Sequence, residues 1–449
     1  MGNFNLKVNV KNLSTEISNL MCEECINDFA RDTGFIERNS KLDGNMFLDI
    51  LLFTHLNQKQ LSLNELAIQV KKLFGIDISK QSIDKRFTDK SVEFIKSVLS
   101  KALELTIPKQ DKIDFTKYDK VLIKDATSFQ LPSNMADKYK GSGGSASSSI
   151  IKIQFEYDLK SGKITDLSLH AFVDQDGTDA KDTVERINPN ELAIRDLGYI
   201  STTVIKAIQK KEAYYLNRAQ ATINIYQLKK DEFIKVNFVE INKYMKTMGL
   251  SVMELEVYLG KKDKFKTRLI IGSIPTEAYQ KRIMNAKRQA KKEGRIITDE
   301  YRARQALNLF ITNTDIPKEN VRSLYTLRWQ IELMFKIWKS IGEIDKVKKM
   351  KVERFESFLF AKLIWIVLNW HIMRLVFHYY YQKDGVGISP FKLYATLKTS
   401  ILKFRSSIKE SIDHISSFIM DHINLGLKKL ISEKKKNSKT WSSDMYKLF

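Results

Sequence analysis

The sequence predicts a mixed α/β fold with helical regions at both ends, and three observations lead to this prediction. The chain has 449 residues, of which 43% are hydrophobic and 29% are charged, as is typical of a folded protein with more than one domain. Residues 1 to about 105 have helical patterns, and β-rich runs separated by turns begin near residue 115. From residue 325 onward, long apolar stretches return at helical spacing. We therefore expect a sheet in the middle of the chain, between two helical regions.

The N-terminal region contains one stretch, LSLNELAIQVKKLFGIDISKQSIDKRFTD, that is typical of a helix-turn-helix. Ser62 is placed to cap a first helix that ends at Gly75, and Ser79 is placed to cap a second helix, KQSIDKRF. The second helix of such a pair enters the major groove of DNA. A generic helical hairpin is the alternative, because the pattern is degenerate. We expect residues 1–112 to form a helical DNA-binding region, with the helix-turn-helix at 62–88.

The net charge of +22 indicates a polyanionic partner, most often a nucleic acid. A protein that merely has basic surfaces is the alternative explanation. The excess is strongest from Leu259 to Arg304, with 14 Lys or Arg against 5 Asp or Glu, which is either a solvated face or a DNA-binding track.

The expected location is the cytoplasm, without a membrane. Two cysteines in the whole chain exclude a disulfide framework, and no signal peptide is visible. The most apolar run, Phe358 to Phe377, is interrupted by Lys362 and Arg374 and is too short for a membrane span once these are excluded. A buried core helix is the better interpretation.

The middle of the chain alternates between strand and helix patterns. The runs KVLIKDATSFQL, SIIKIQFEYDL and KITDLSLHAFV predict strands, and TDAKDTVERI predicts a helix. A strand, ELAIRDLGYI, and a helix, STTVIKAIQKK, follow. The acidic stretch HAFVDQDGTDAKD, which includes Asp179, lacks the rest of a calcium-binding loop and is interpreted as a solvated turn between strand and helix.

Residues from about 212 to 275 are β-rich again, with AYYLNRAQATINIYQL, IKVNFVEI, VMELEVYLG and KTRLIIGSI as strand candidates. A basic helical stretch from Ala278 to Gln305 comes next, and LNLFITNT predicts another strand. One long helix is expected from Tyr325 onward. The mixed order of strands and helices favours an α/β core rather than an all-helical or all-β one.

The stretch YTLRWQIELMFKIWK has the apolar content of a buried helix but carries several polar groups. If it forms one continuous helix, these groups share an edge about 80° wide, and the rest of the circumference is apolar. This predicts a buried helix with a charged edge at a cleft, and Trp329 and Trp338 in the core. A simple stripe of ion pairs is the alternative. The residues of the edge are Tyr325, Arg328, Glu332, Lys336 and Lys339.

Two aspartates stand where strands end, Asp125 in VLIKDATSF and Asp196 in LAIRDLGY. Ligands of open α/β sheets bind at strand ends, although a single Asp there can also simply terminate its strand. Together with Glu332, the two aspartates suggest a site of three carboxylates for Mg²⁺ or Mn²⁺. Two such metal ions can stabilise both sides of a phosphate during an in-line displacement. The basic residues of the helix edge would hold DNA phosphates beside them.

These residues resemble a known family. Tyr325, Arg328, Glu332 and Lys339 match the Y-x-x-R-x-x-x-E-x6-K signature of DDE transposases of the insertion-sequence-four family. KDATSFQLP resembles the first Asp block of that family, and IRDLGYIS resembles the second. The resemblance covers roughly residues 115 to 375.

The resemblance implies a ribonuclease-H-like catalytic core interrupted by a β-rich insertion. The implied segments are the first part of the core, the basic insertion domain, the second part of the core and a helical C-terminal region, at residues 113–211, 212–305, 306–380 and 381–449.

The resemblance also implies the chemistry. Asp125, Asp196 and Glu332 would bind two Mg²⁺ ions, for which Mn²⁺ can substitute. Tyr325, Arg328, Lys339 and Lys336 would hold the backbone of the transposon end. Water would free a 3′-OH, which can form a hairpin with the opposite strand and then joins to target DNA. The implied partners are double-stranded transposon ends and target DNA, bound by a homodimer in the bacterial cytoplasm at the nucleoid.

Some relatives stack a Trp of the insertion domain on a flipped base. No Trp lies between residues 200 and 328 of this chain, and Tyr301 is the candidate for that role. Two alternatives to a transposase stay open at this point. One is a sequence-specific DNA-binding protein with an idle acidic triad, and the other is a metal-dependent nuclease without strand transfer.

Overall fold

The computed structural model describes most of the chain, and the chain divides into two compact units. The described residues are 5–38, 40–54, 61–105, 117–143, 147–174, 176–199, 201–219, 223–385 and 387–430. Unit 1 comprises Met1–Ile113, Ala126–Val173 and Gln330–Phe449, and unit 2 comprises Asp114–Asp125 and Asp174–Trp329.

Helices and strands follow one another along the described residues in a mixed α/β order. The helices are α1 (Leu6–Met21), α2 (Glu23–Asp32), α3 (Gly44–Asp49), α4 (Leu63–Phe74), α5 (Lys80–Asp84), α6 (Asp89–Leu103), α7 (Asp176–Val184), α8 (Thr202–Lys210), α9 (Phe238–Thr247), α10 (Thr276–Glu293), α11 (Asp299–Gln305), α12 (Lys318–Thr326), α13 (Trp329–Ser340), α14 (Val352–Asp384), α15 (Pro390–Thr399), α16 (Ile401–Glu410), α17 (Ile412–Asn424) and α18 (Leu427–Leu430). The strands are β1 (Val121–Gln130), β2 (Ile150–Asp158), β3 (Ile164–Ala171), β4 (Leu192–Arg195), β5 (Tyr214–Arg218), β6 (Ile225–Lys229), β7 (Glu232–Lys235), β8 (Val252–Leu259), β9 (Phe265–Ser273) and β10 (Leu307–Thr312). The prediction of a mixed α/β fold with helical ends is confirmed.

The two helices of the predicted helix-turn-helix begin and end with the caps that the sequence indicates. The Ser62 hydroxyl accepts a hydrogen bond from the Glu65 amide, and the Glu65 carboxylate accepts one from the Ser62 amide. Gly75 ends α4 with a φ of +71°, and Ser79 caps α5. However, α5 has five residues and is therefore shorter than the predicted KQSIDKRF, because the chain turns after Asp84.

Helix α14 forms the centre of unit 1. It packs against α6. Just before α6 begins, the ring of Phe87 lies 5.5 Å from that of Phe358 on α14. By length and composition α14 could cross a membrane, but its most apolar part is completely buried within the protein. The prediction of a buried core helix is confirmed. Lys362, which interrupts the apolar run, donates a hydrogen bond to the Glu343 carbonyl at 2.6 Å.

The strands of unit 1 support helix α13. Strand β2 pairs with β3 in antiparallel register, and the second half of β1 continues the order β3-β2-β1. The ring of Phe155, on β2, lies 6.1 Å from Phe335 and 5.1 Å from Trp338 in edge contacts. This packing fixes the apolar side of α13 against the strands.

Unit 2 contains a mixed sheet in the order β1-β4-β5-β10-β9-β8-β6-β7, to which β1 contributes Val121 to Asp125. The first three strands are parallel, with α8 connecting β4 to β5, and the other neighbours are antiparallel. One strand prediction is partly wrong: the FVEI of IKVNFVEI begins helix α9. The Asn237 side chain caps this helix by accepting hydrogen bonds from the amides of Val239 and Glu240.

The prediction of one long helix from Tyr325 is wrong. Helix α12 ends at Thr326, α13 begins at Trp329, and Leu327 and Arg328 form a turn between them. The amides of Leu327 and Arg328 bond to carbonyls three residues earlier instead of four, which tightens the backbone. Tyr325 and Arg328 therefore do not share a continuous helical edge with the charged residues of α13.

Candidate active site

Asp125 and Asp196 directly follow the last paired residues of two parallel strands, β1 and β4. Asp196 comes after the end of β4, but β1 continues to Gln130, so the prediction that Asp125 ends its strand is wrong. In the register of β1 and β4, Lys124 lies opposite Arg195, and each aspartate is the next residue of its chain. Neighbouring strands are about 4.8 Å apart, so the two carboxylates begin from adjacent positions at the point where the pairing of β1 with β4 ends. The Asn217 side chain supports this edge by donating to the Arg195 carbonyl at 2.8 Å.

Arg328 and Tyr325 complete a four-residue cluster with the two aspartates. The Nη1 of Arg328 donates to Oδ2 of Asp125, and its Nη2 lies 3.8 Å from Oδ1 of Asp196. The Tyr325 hydroxyl donates to the same Oδ1 of Asp196 at 3.2 Å. Only 7% of the Arg328 side chain is exposed, so its guanidinium lies in a largely buried position between the two carboxylates.

The electrostatics of the cluster favour this arrangement. Two neighbouring carboxylates repel each other unless a cation lies nearby, and the guanidinium supplies one positive charge. Burial raises the pKa of Tyr325 above its ordinary value, and the charge of Asp196 acts in the same direction. Tyr325 is therefore a neutral hydrogen-bond donor around pH 7. Its ring packs 5.2 Å from that of Phe310, on β10.

Helix α13 carries the other predicted site residues within unit 1. Glu332 and Lys336 are exposed, and Lys339 is half-buried. The Nζ of Lys339 donates to the Ser128 carbonyl, in the second half of β1, at 2.9 Å. Burial lowers the pKa of Lys339 from its ordinary value, and the charge of Asp345 acts against this effect.

The carboxylate pair fits a hard divalent cation in its chemistry. Carboxylate oxygens are the ligands that Mg²⁺ and Mn²⁺ prefer, and in this structure the Arg328 guanidinium stands in for a cation between Asp125 and Asp196. Across the residues that the structure describes, no group of three or more His, Cys, Asp or Glu side chains is arranged to hold a metal ion. The geometry therefore brings two carboxylates together beside one cation.

The sequence analysis missed a buried ion pair directly beside the site. Nζ of Lys124, whose side chain is fully buried, lies 2.8 Å from Oδ2 of Asp179 on α7, whose side chain is 10% exposed. The interpretation of Asp179 as part of a solvated turn is wrong. A lysine at the end of the apolar run VLIK was a usable signal, because a buried lysine needs an acidic or carbonyl partner.

Trp329 is also placed differently from the prediction. It is 59% exposed, whereas Trp338 is buried as predicted. At 100° per residue Trp329 lies about 40° from Tyr325, so even on a continuous helix it would border the charged edge, and its exposure agrees with that position. An exposed indole therefore directly follows the buried Arg328.

Comparisons with known proteins agree with this picture. The family model described as "Transposase DDE domain" matches residues 117–368. The transposase for insertion sequence element IS1151 of Clostridium perfringens is 30% identical, over 98% of this chain and 96% of that protein. The transposase for insertion sequence element IS231F of Bacillus thuringiensis subsp. israelensis is 29% identical, over 91% of this chain and 90% of that protein.

Proposed function

The chain belongs to the DDE transposase family and is an insertion-sequence transposase, and from this premise we propose that Asp125, Asp196 and Glu332 are its catalytic, metal-binding carboxylates. The insertion-sequence-four family fits these relatives. The observation that carries the proposal is the pair of aspartates directly after the last paired residues of the parallel strands β1 and β4, bridged by Arg328. Two carboxylates that share one cation can share a metal ion in its place, which supports the proposal.

The proposed cofactor is a pair of Mg²⁺ ions, for which Mn²⁺ can substitute. When bound, such ions activate the attacking oxygen and stabilise the leaving oxygen of an in-line phosphoryl displacement. Asp125 and Asp196 supply hard oxygen ligands from the point where the pairing of β1 with β4 ends, and Glu332 supplies the third carboxylate from α13.

Arg328 has two successive roles in this proposal. In the structure it neutralises the aspartates, and with DNA bound it contacts a backbone phosphate through its planar, bidentate guanidinium. Tyr325, Lys336 and Lys339 hold the same backbone near the cleaved bond. Trp329, as an exposed ring, offers a stacking surface for a base. This makes Trp329 a stronger candidate for base stacking than Tyr301.

The proposed reaction has two stages. In the first, a water oxygen attacks the phosphorus at the transposon end, the P–O3′ bond breaks, and the end is left with a 3′-OH. In the second, that hydroxyl attacks a phosphodiester, forming one P–O bond and breaking another without net hydrolysis. If the attacked strand is the opposite one the product is a hairpin, and if it is target DNA the product is an insertion.

The proposal extends to the architecture and the partners. The mixed sheet of unit 2, with parallel β1, β4 and β5, supports a ribonuclease-H-like core. We place the enzyme in the bacterial cytoplasm, on the nucleoid, as a homodimer on two transposon ends. Light scattering of the protein with a duplex that carries one end tests the dimer, and a mass of one protomer per complex would contradict it.

The test of the catalytic assignment uses purified protein, a duplex carrying the element's ends, and Mg²⁺. We expect cleavage by the wild type, and loss of cleavage with retained DNA binding for Asp125→Asn and Glu332→Gln. Cleavage that persists in either variant contradicts the assignment. Specific binding by a wild type that does not cleave favours a DNA-binding protein with idle carboxylates. A pre-cut end with a free 3′-OH separates strand transfer from simple nuclease activity.

A further inference from the structure

Helix α10 in unit 2 presents a band of cations to the solvent. At 100° per residue, five exposed cations fall within an arc of about 140°. We call this arc the basic face of α10, and its members are Lys281, Lys287, Arg288, Lys291 and Lys292. None of the 18 residues of the helix is fully buried, so this face is open along its whole length.

The opposite side of α10 is fixed to the unit. Tyr279, Ile283, Ala286 and Ala290 lie on that side and are half-buried. Between the two sides, Arg282 donates to the carbonyls of Gln305 and Leu307 at 3.3 and 3.2 Å, and to Oδ1 of Asn308 at 2.7 Å. These bonds attach the helix to the start of β10, so the basic face has a defined direction.

The charge of the basic face is not neutralised within the described part of the protein. Among the described residues, none of its five cations forms an ion pair. The two acidic residues of the helix, Glu277 and Glu293, lie in its first and last turns, and Glu293 already accepts hydrogen bonds from Gln289 and Arg295. Concentrated cations without local partners favour an external polyanion.

The chemistry of the face favours duplex DNA over a membrane. A helix that lies on a lipid surface exposes an apolar face with several large side chains, often aromatic. Here the apolar side is half-buried, and the exposed arc contains only Met284 as a large apolar residue. Duplex DNA carries about one negative charge per 1.7 Å of its axis, and Lys281 and Lys292 are about 16 Å apart along the helix, so several phosphates lie within reach.

We propose that the basic face of α10 binds the backbone of duplex DNA without reading its sequence, as a contact surface additional to the residues of the candidate active site. The proposal rests on the proposed function only in that the enzyme acts on DNA. Arg282 is the positioning residue of this surface, because it holds the helix and does not belong to the exposed arc.

The test is a salt titration of DNA binding in EDTA, where no metal-dependent cleavage occurs. The variant is Arg288→Gln/Lys291→Gln, which removes two charges and keeps good helix formers. The matched control is Lys181→Gln/Lys210→Gln, which removes two exposed charges from α7 and α8 of the same unit. Each protein is titrated with a duplex carrying the element's end and with an unrelated duplex of equal length.

We expect the slope of log K against log salt to become shallower by about 2 in the α10 variant, since each lost phosphate contact removes about 0.9. The control is expected to keep the wild-type slope. The loss should be equal for both duplexes, because backbone contacts carry no sequence information.

An unchanged slope, or a change equal to that of the control, overturns the proposal, and a loss confined to the end sequence overturns the backbone-only reading. Because these titrations contain no metal, their outcome is independent of whether Asp125→Asn abolishes cleavage. A failure of the catalytic assignment and a failure of the α10 surface are therefore distinguishable.

Discussion

Substitution of Arg328 by Gln is expected to destabilise the metal-free enzyme and to make it bind divalent metal more tightly. The Arg328 side chain is 7% exposed and the Asp125 side chain 16% exposed, so their ion pair is shielded from water. Removing one partner of a buried ion pair typically costs 3–5 kcal/mol, because the other charge is left uncompensated. The partial exposure of Asp125, and of Asp196 at 39%, places the expected loss near the lower limit, at about 3 kcal/mol.

The metal dependence follows from the same geometry. In the wild type a divalent cation has to displace the guanidinium from between Asp125 and Asp196, whereas in the variant it meets two uncompensated carboxylates. A ligand that binds only the folded state stabilises it in proportion to the logarithm of its concentration over Kd. Mn²⁺ should therefore stabilise Arg328→Gln more than the wild type.

The assay is urea unfolding with EDTA or with millimolar Mn²⁺, together with a Mn²⁺ titration of the DNA-free proteins by electron paramagnetic resonance. Arg322→Gln is the control, because Arg322 is an exposed arginine of the preceding helix. Equal stabilisation of wild type and Arg328→Gln by Mn²⁺ would refute the reasoning. A variant as stable as the wild type in EDTA would refute it as well.

Three further predictions concern stability. Burial lowers the pKa of Lys362 from 10.5 to about 8, with Lys398 acting in the same direction and Glu343 and Asp345 against it. The unfolded chain therefore binds the Lys362 proton more tightly than the folded protein does. The contribution of neutral Lys362 to the free energy of unfolding is complete above pH 10.5 and is lost as the pH falls through about 8. Between pH 7 and 10.5, the free energy of unfolding of the wild type should rise by about 3 kcal/mol relative to Lys362→Met in urea titrations. Gly162 and Gly385 both have positive φ, at +72° and +65°, but only at Gly162 would a Cβ overlap the guanidinium of the buried Arg374. Gly162→Ala should therefore be less stable than Gly385→Ala by about 1–3 kcal/mol, and equal losses would show that Arg374 moves aside freely. Lys124→Met should lower the free energy of unfolding by about 3–5 kcal/mol, because it leaves the Asp179 carboxylate uncompensated. In urea titrations, the double variant Lys124→Met/Asp179→Asn should recover part of that loss.

Local interactions made part of the fold predictable. Ser62, Gly75 and Ser79 cap or end their helices as expected, since a cap depends on residues within one turn of the chain. The strand before Asp196 was also predicted, because it is an apolar run whose end is marked by charged residues, whereas β1 continues past Asp125 to Gln130. Membership of the DDE transposase family followed from the spacing of a few side chains, which needs no coordinates.

Tertiary contacts decided what the spacing did not reveal. Arg328 interacts with a carboxylate 203 positions earlier in the chain, and Tyr325 with one 129 positions earlier. No periodicity within fifteen residues encodes such partners, and the apolar pattern around the turn at Leu327 also fits an unbroken helix. The pairing of Lys124 with Asp179 was missed for the same reason, although the apolar run before Lys124 indicates that this lysine needs a partner.

The sequence alone therefore determined which charged residues follow the apolar runs VLIK and LAIR and which stand at fixed spacing near residue 330. These residues were enough to identify the family and the class of chemistry. Only the tertiary structure decided that Arg328 turns inward to the two aspartates while the next residue, Trp329, faces the solvent. The physical reason is that a buried guanidinium is stable only where carboxylates from distant segments converge on it. That convergence is a property of the parallel pairing of β1 with β4, and not of any one stretch of the chain.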